Sequence, residues 1–151
     1  MVIDSHMHLT RKANYDIERN TTMGMTIPED TDLEELISWW KAAGIEKAVC
    51  MGQDMTKTWN TEFGEQYVRE CYKKHPEFFI PFAAIEPIDR AGRFNQEKYE
   101  YMVESVDGFG VKGLLFTPPF GQYYANSNLI YPFYEFCFPP MFRCFNISLS
   151  I

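Results

Sequence analysis

Val2-Ile3-Asp4-Ser5-His6-Met7-His8 is a β-branched apolar run that ends in two histidines, and the rest of the chain is read outward from it. A strand turns its side chains to alternate faces with period two. Asp4, His6 and His8 are therefore expected on one face, and Ile3, Ser5 and Met7 on the other. Two imidazoles on one face chelate a single divalent cation, with Zn–N distances of about 2.0–2.1 Å. Asp4, deeper in the strand, is placed either to orient one of the rings by accepting its N–H or to serve as a buried structural carboxylate.

Beyond this strand the pattern alternates between two periods. A polar stretch from Thr10 to Asp30 is too long for an ordinary strand-to-helix loop, a length that marks functional or mobile segments. Leu33, Leu36, Ile37 and Trp40 then follow the helical stripe i, i+3, i+4, i+7. Thr31 and Glu34 read as a capping box before it, and Gly44 as its stop. Lys47 to Met51 reads as a short buried strand. A second helix is expected from about Thr61 to Lys74, and a third strand from Phe79 to Ile85 despite Pro81. A third helix is expected from about Gln96 to Val106, capped by Asn95, with Phe94 and Tyr99 spaced as a hydrophobic staple. A fourth strand follows at Val111 to Phe116, then a short helix with Pro132 at its first turn, ending near Cys137. Strands two, three and four begin about thirty residues apart, the span of a βα unit. The expected architecture is α/β with a parallel sheet and right-handed crossovers. Four such units make an incomplete (β/α)8 TIM barrel, since the full fold takes about 200 residues or more.

Composition narrows the partners. The 151 residues carry a net charge of −7, without the basic footprint that nucleic acid requires. The same charge argues against anionic membrane surfaces. No apolar run approaches the roughly 18–20 residues of a spanning helix. With a strand starting at Val2 there is no room for a signal peptide, so a cytoplasmic location is expected. The four cysteines show no CxxC clustering and read as reduced thiols. Asn146-Ile147-Ser148 matches a glycosylation sequon, which carries no weight without a secretory signal.

Ile3-Asp4-Ser5-His6-Met7-His8 resembles the first-strand metal motif of the amidohydrolase superfamily. Four further phrases strengthen the likeness: Ala43 to Val49, Phe78 to Pro87, Val111 to Leu115, and Thr117-Pro118-Pro119-Phe120 leading to Ile130 to Glu135. Together they look like the amidohydrolase-related branch that includes aminocarboxymuconate-semialdehyde decarboxylase, over roughly Val2 to Cys137. The resemblance implies a metal-dependent barrel with its site at the C-terminal ends of the strands. It makes His6 and His8 ligands of a divalent cation, zinc first and manganese as the alternative. It implies a small substrate, aromatic or carboxylic, and a hydrolase, with a decarboxylase of the same branch as the alternative.

Other residues take weaker roles. Glu86 ends the third strand on the site side, as a third ligand, a substrate-side charge or a loop-capping carboxylate. Cys50 ends a strand there too, but no basic neighbour is evident to activate it, so packing is expected. His75, at a helix C-terminus beside Lys73 and Lys74, reads as a surface cation. Lys112 begins a strand, at the end away from the chemistry. The segment Thr117 to Tyr124 offers rings for a substrate wall, and the loop from Arg11 to Arg19 reads as solvated, with its cations as an alternative clamp for substrate carboxylates.

The far end departs from the family pattern. Residues 1–137 read as the N-terminal half of an amidohydrolase-like barrel, and 138–151 as an atypical apolar tail. No histidine follows His75 and no carboxylate follows Glu135. The late ligands and the late acid or base are therefore missing, as in a truncated or frame-shifted product. A third reading is then a catalytically inactive half-barrel acting only through association. Its open edges, the lining between them, Phe136 and the tail's Phe138, Met141, Phe142, Phe145, Ile147 and Ile151 would drive self-association.

Overall fold

Strand β1 (Ile3–His8) lies at one edge of the sheet, and the chain returns to that sheet four more times. The computed structural model describes residues 1–27, 29–59, 61–63, 65–137 and 143–146. A 3-10 turn (Lys12–Asn14), helix α1 (Ile17–Thr22) and helix α2 (Leu33–Ala42) precede β2 (Lys47–Met51). Next come β3 (Gln53–Met55), α3 (Thr56–Trp59), β4 (Thr61–Phe63), α4 (Glu65–Lys74) and β5 (Phe79–Ala84). The chain continues through α5 (Gln96–Phe109), β6 (Gly113–Phe116), α6 (Pro118–Gly121), α7 (Tyr131–Cys137) and β7 (Arg143–Asn146). The sheet order is β1-β2-β5-β6-β7, and every neighbouring pair is parallel. The four expected βα units are present, and β7 adds a fifth strand from within the segment read as a tail.

Helix α2 shows how the sequence builds its elements. Ile37 is buried, with Leu33, Leu36 and Trp40 packed on the same cluster as Met7, Ala48 and Cys50. Its cap is Asp32, whose carboxylate accepts the N–H groups of Glu34 (3.0 Å) and Glu35 (3.1 Å). Thr31 does not cap it. A carboxylate satisfies two orphan donors at once and complements the positive end of the helix dipole, which a hydroxyl does not. Asp32→Ala is expected to lower stability by about 1 kcal/mol in thermal or urea unfolding, and Thr31→Ala by much less. Gly44 follows at φ +84°, the left-handed conformation that stops the helix. In α5, Asn95 accepts the Lys98 N–H (3.3 Å), and the Phe94 and Tyr99 rings meet at 5.7 Å, as the staple requires.

Two departures are local. The segment expected to open a helix at Thr61 instead pairs, as β4, antiparallel with β3, so α4 begins at Glu65. Strand β1 shifts register against β2: Asp4 is level with Ala48, but Met7 is level with Cys50. One extra residue between them breaks the strict alternation.

The helices cover one face of the sheet. Ala48 and Cys50 pack under α2 and α4, while Ala83, Leu114 and Phe116 pack under α5 and α7. On the other face Val49, Met51, Phe82, Ala84 and Leu115 form a third cluster, also buried. The apolar lining expected to lie open is thus covered at these positions. Of the tail residues named above, Phe138, Met141, Phe142, Ile147 and Ile151 lie outside the described residues, as does the end of the sequon. Cys50 and Cys71 are free and buried, whereas Cys137 is disulfide-bonded, against the expectation of four reduced thiols. Disulfides depend on Cα atoms brought within about 4.4–6.8 Å, a proximity made by the fold and not by a motif. Among the described residues no helix is long and apolar enough to cross a membrane.

Candidate functional site

Several strand ends converge on one rim. His8 is the last residue of β1, Gly52 follows β2, Glu86 lies just beyond β5 and Thr117 follows β6. In parallel α/β folds this C-terminal rim is where ligands bind.

His6 and His8 meet there. Their Nε2 atoms are 3.0 Å apart and their rings cross edge to face at 82°, with centroids 4.8 Å apart. Tetrahedral zinc with Zn–N bonds of about 2.0–2.1 Å separates two ligand nitrogens by roughly 3.3 Å, so the pair stands near the spacing of a chelate. His8 Nδ1 is 3.2 Å from the Gly52 carbonyl. Donation from Nδ1–H to that oxygen fixes the ring and leaves Nε2 unprotonated, its lone pair toward His6 Nε2, in the form that binds a metal. Partial burial, and then the neighbouring His6 ring, hold the His8 imidazole below its ordinary pKa, while the carbonyls of Gly52 and Met51 pull the other way. The lowered value favours the neutral ring. The pair fills two corners of a coordination sphere. Among the described residues no third histidine, cysteine or carboxylate completes a cluster with it.

Asp4 does not share this face. The register shift sets it level with Ala48, on the helix side, and its carboxylate accepts the backbone N–H of His6 (3.1 Å). It therefore steadies the backbone that carries His6 without touching either ring.

Beside His8 opens a cleft of about 290 Å³, lined by Thr10, Tyr15, Asn20, Met25, Gln53, Met55 and Phe120. It is at the small end of ligand pockets, with an apolar body and a few polar groups. The long N-terminal loop supplies its roof through Tyr15, Asn20 and Met25, but not through its cations. Arg11 pairs with Glu70 (3.1 Å) and lies over the Tyr67 ring, and Lys12 pairs with Glu29 (2.7 Å). The Thr117 to Tyr124 segment divides its rings: Phe120 lines the cleft, Tyr123 turns inward to Glu86, and Tyr124 is 83% exposed.

Glu86 is buried, one strand beyond β2 in the sheet and apart from the histidine pair. Its backbone N–H donates to Asp54 Oδ2 (3.1 Å), and Lys98 Nζ lies 2.8 Å from the same oxygen. Burial first, and the Asp54 carboxylate second, raise the Glu86 carboxyl to about 8, against the pull of Lys57, the Ile88 amide and Lys98. Cys50 is buried with its thiol pushed far up, first by that burial, consistent with packing. His75 sits between Glu34 and Glu77, at 2.8 and 3.4 Å, away from the rim. Lys112 donates its backbone N–H to Pro81 O at the opposite end of the sheet.

Sequence reading missed Gly52, Asp54 and Lys57, and it placed Tyr123 on a substrate wall instead of beside Glu86. Gly52 acts only through its carbonyl, for which residue identity gives no signal. Asp54 is the exception: Asp-x-Thr marks an Asx-type turn, and its Oδ1 accepts from both the N–H and the hydroxyl of Thr56.

No family model matches the sequence, and no curated protein matches it. Among solved structures, an uncharacterized TIM-barrel protein, Bb4693 from Bordetella bronchiseptica, is similar over 90% of this chain, with a TM-score of 0.62 at 20% identity. That match takes in 51% of the Bordetella chain, so this chain spans about half its length. The fold is that of an incomplete (β/α)8 barrel.

Proposed function

We propose that His6 and His8 hold a divalent cation, zinc or manganese, as the anchoring part of a hydrolase site of the amidohydrolase-related kind. The observation that carries this reading is the meeting of the two Nε2 atoms, 3.0 Å apart, with the far nitrogen of His8 committed to Gly52 O. The sequence motif and the barrel rim support it. A cation held there supplies Lewis acidity to water or to a substrate oxygen at neutral pH. The chain's own residues do the rest. Gly52 fixes the His8 ring, Asp4 steadies the strand behind His6, and Met25, Met55 and Phe120 exclude water from the cleft. A small substrate lies against these side chains with its reactive end at the pair.

Metal binding tests the reading without any need for turnover. Zn2+ and Mn2+ titrated against a chromophoric chelator should reveal one site per chain, weak because only two ligands serve it. His6→Ala and His8→Ala should each lose more than about tenfold in affinity. Equal affinity in all three proteins would overturn the assignment. Hydrolysis itself is tested by product analysis on small aromatic and carboxylic amides and esters in the presence of either metal.

A further inference from the structure

Among the described residues, buried carboxylates are hydrogen-bonded, with one exception. Asp54 accepts from the Thr56 N–H and hydroxyl, the Glu86 N–H and Lys98. Glu65 accepts from the Ala84 N–H (3.3 Å) and the Tyr101 hydroxyl (2.8 Å). Glu86 is 1% exposed, and neither of its carboxyl oxygens has a hydrogen-bond partner; the Tyr123 hydroxyl is likewise buried and unpartnered. Such a group in a native fold calls for an explanation.

The explanation lies at Gly121. A Cβ on that residue would fall 2.6 Å from Glu86 Oε1 and closer still to the Tyr123 ring, so the glycine is what lets the three groups meet. Lys57 reaches the same residue, donating from Nζ to Gly121 O (2.6 Å), and stands 6.0 Å from the Tyr123 ring centroid. Gly121 ends α6, next to Phe120, the wall of the cleft beside His8.

We propose that Glu86 and Lys57 form a proton-operated latch on the segment from Thr117 to Tyr124. With Glu86 neutral, Lys57 holds Gly121 O and Phe120 stays against the cleft. When Glu86 releases its proton to solvent, a buried carboxylate with no cation paired to it appears, and a nearby cation must compensate it. The groups facing Glu86 are Asp54 from β3, Lys57 from α3, Lys98 from α5 and Tyr123 from beyond α6, with Tyr134 of α7 behind Tyr123. Lys98 is engaged by the Asp54 carboxylate. Lys57 holds only a neutral carbonyl, and a full negative charge attracts its ammonium more strongly than that dipole does. Lys57 therefore transfers, the tie to Gly121 is lost, and the segment loosens. The raised Glu86 pKa places this step near the upper end of physiological pH. Its consequence for access to the cleft rests on the function proposed above; the latch itself does not.

Amide hydrogen exchange of the 117–124 segment, measured from pH 6 to 9 and corrected for the intrinsic rate, tests the latch. In the wild type, protection should fall about tenfold between pH 7 and 9. Glu86→Gln should remove that fall, and Lys57→Met should leave the segment poorly protected at both pH values. A flat wild-type profile overturns the proposal, and so does a Glu86→Gln profile that tracks the wild type. Full wild-type protection of Lys57→Met at pH 7 overturns the role of Lys57. The measurement uses neither metal nor substrate, so its failure and that of the histidine reading are distinguishable.

Discussion

Phe133→Ala is expected to destabilise the protein by about 3–5 kcal/mol, the largest single effect we anticipate. Phe133 is fully buried, with ring centroids 5.3 Å from Phe94, 5.4 Å from Tyr99 and 5.9 Å from Phe116. It joins α7 to α5 and β6, and the rings cross at tilted or edge-on angles that add to simple area burial. Removing it leaves a cavity walled by three aromatic side chains that are stiff and slow to collapse. Urea unfolding reads the loss as a lowered midpoint at unchanged slope. Tyr131 on the same helix supplies the control: it is 49% exposed and its substitution by alanine should stay within about 0.5 kcal/mol. A Phe133→Ala loss below about 1 kcal/mol would mean that α7 does not dock on this cluster.

Glu86→Gln should stabilise the protein, by an amount that grows with pH. The ordinary value for this carboxyl is 4.5, and in the fold it rises to about 8. The unfolded chain therefore releases the proton first, and folding takes it up again between those two values. Stability falls as pH rises through that window, by about 1.4 kcal/mol per unit where the slope is full. At pH 5 wild type and variant should nearly coincide. By pH 8 the difference should reach on the order of 4 kcal/mol, and it should not grow further above that. Parallel denaturation curves at pH 5, 6.5 and 8 give the answer, and a difference independent of pH would show that Glu86 keeps its ordinary ionisation in the fold.

Periodicity made most of this architecture legible. The stripe of α2, the Asn95 cap, the Phe94–Tyr99 staple and the alternation of buried strands with helices all follow from local spacing, and the structure realises each. The elements that escaped depend on distant partners. Gln53–Met55 and Thr61–Phe63 are three-residue strands, too short to show a period, and exist because they pair with each other. Strand β7 exists because β6 offers it an edge. The candidate site divides in the same way. The proximity of His6 and His8 was readable from their spacing of two. The Gly52 carbonyl and the inward turn of Tyr123 were not, because both arise from loops folded onto the rim. Asp4 was misplaced for a single reason, the extra residue in β1.

That extra residue makes β1 two short rods joined by a step. Ile3 and Asp4 keep time with Lys47 and Ala48, and Met7 and His8 with Cys50 and Met51. The step lets the histidine-bearing rod be set in phase independently of the one that anchors it. An insertion between Asp4 and His6 would widen a step that already exists and leave the two imidazoles side by side. An insertion between His6 and His8 would send one ring to the helix side. What this half-barrel must keep constant is the interval between its histidines, not their distance from the beginning of the strand.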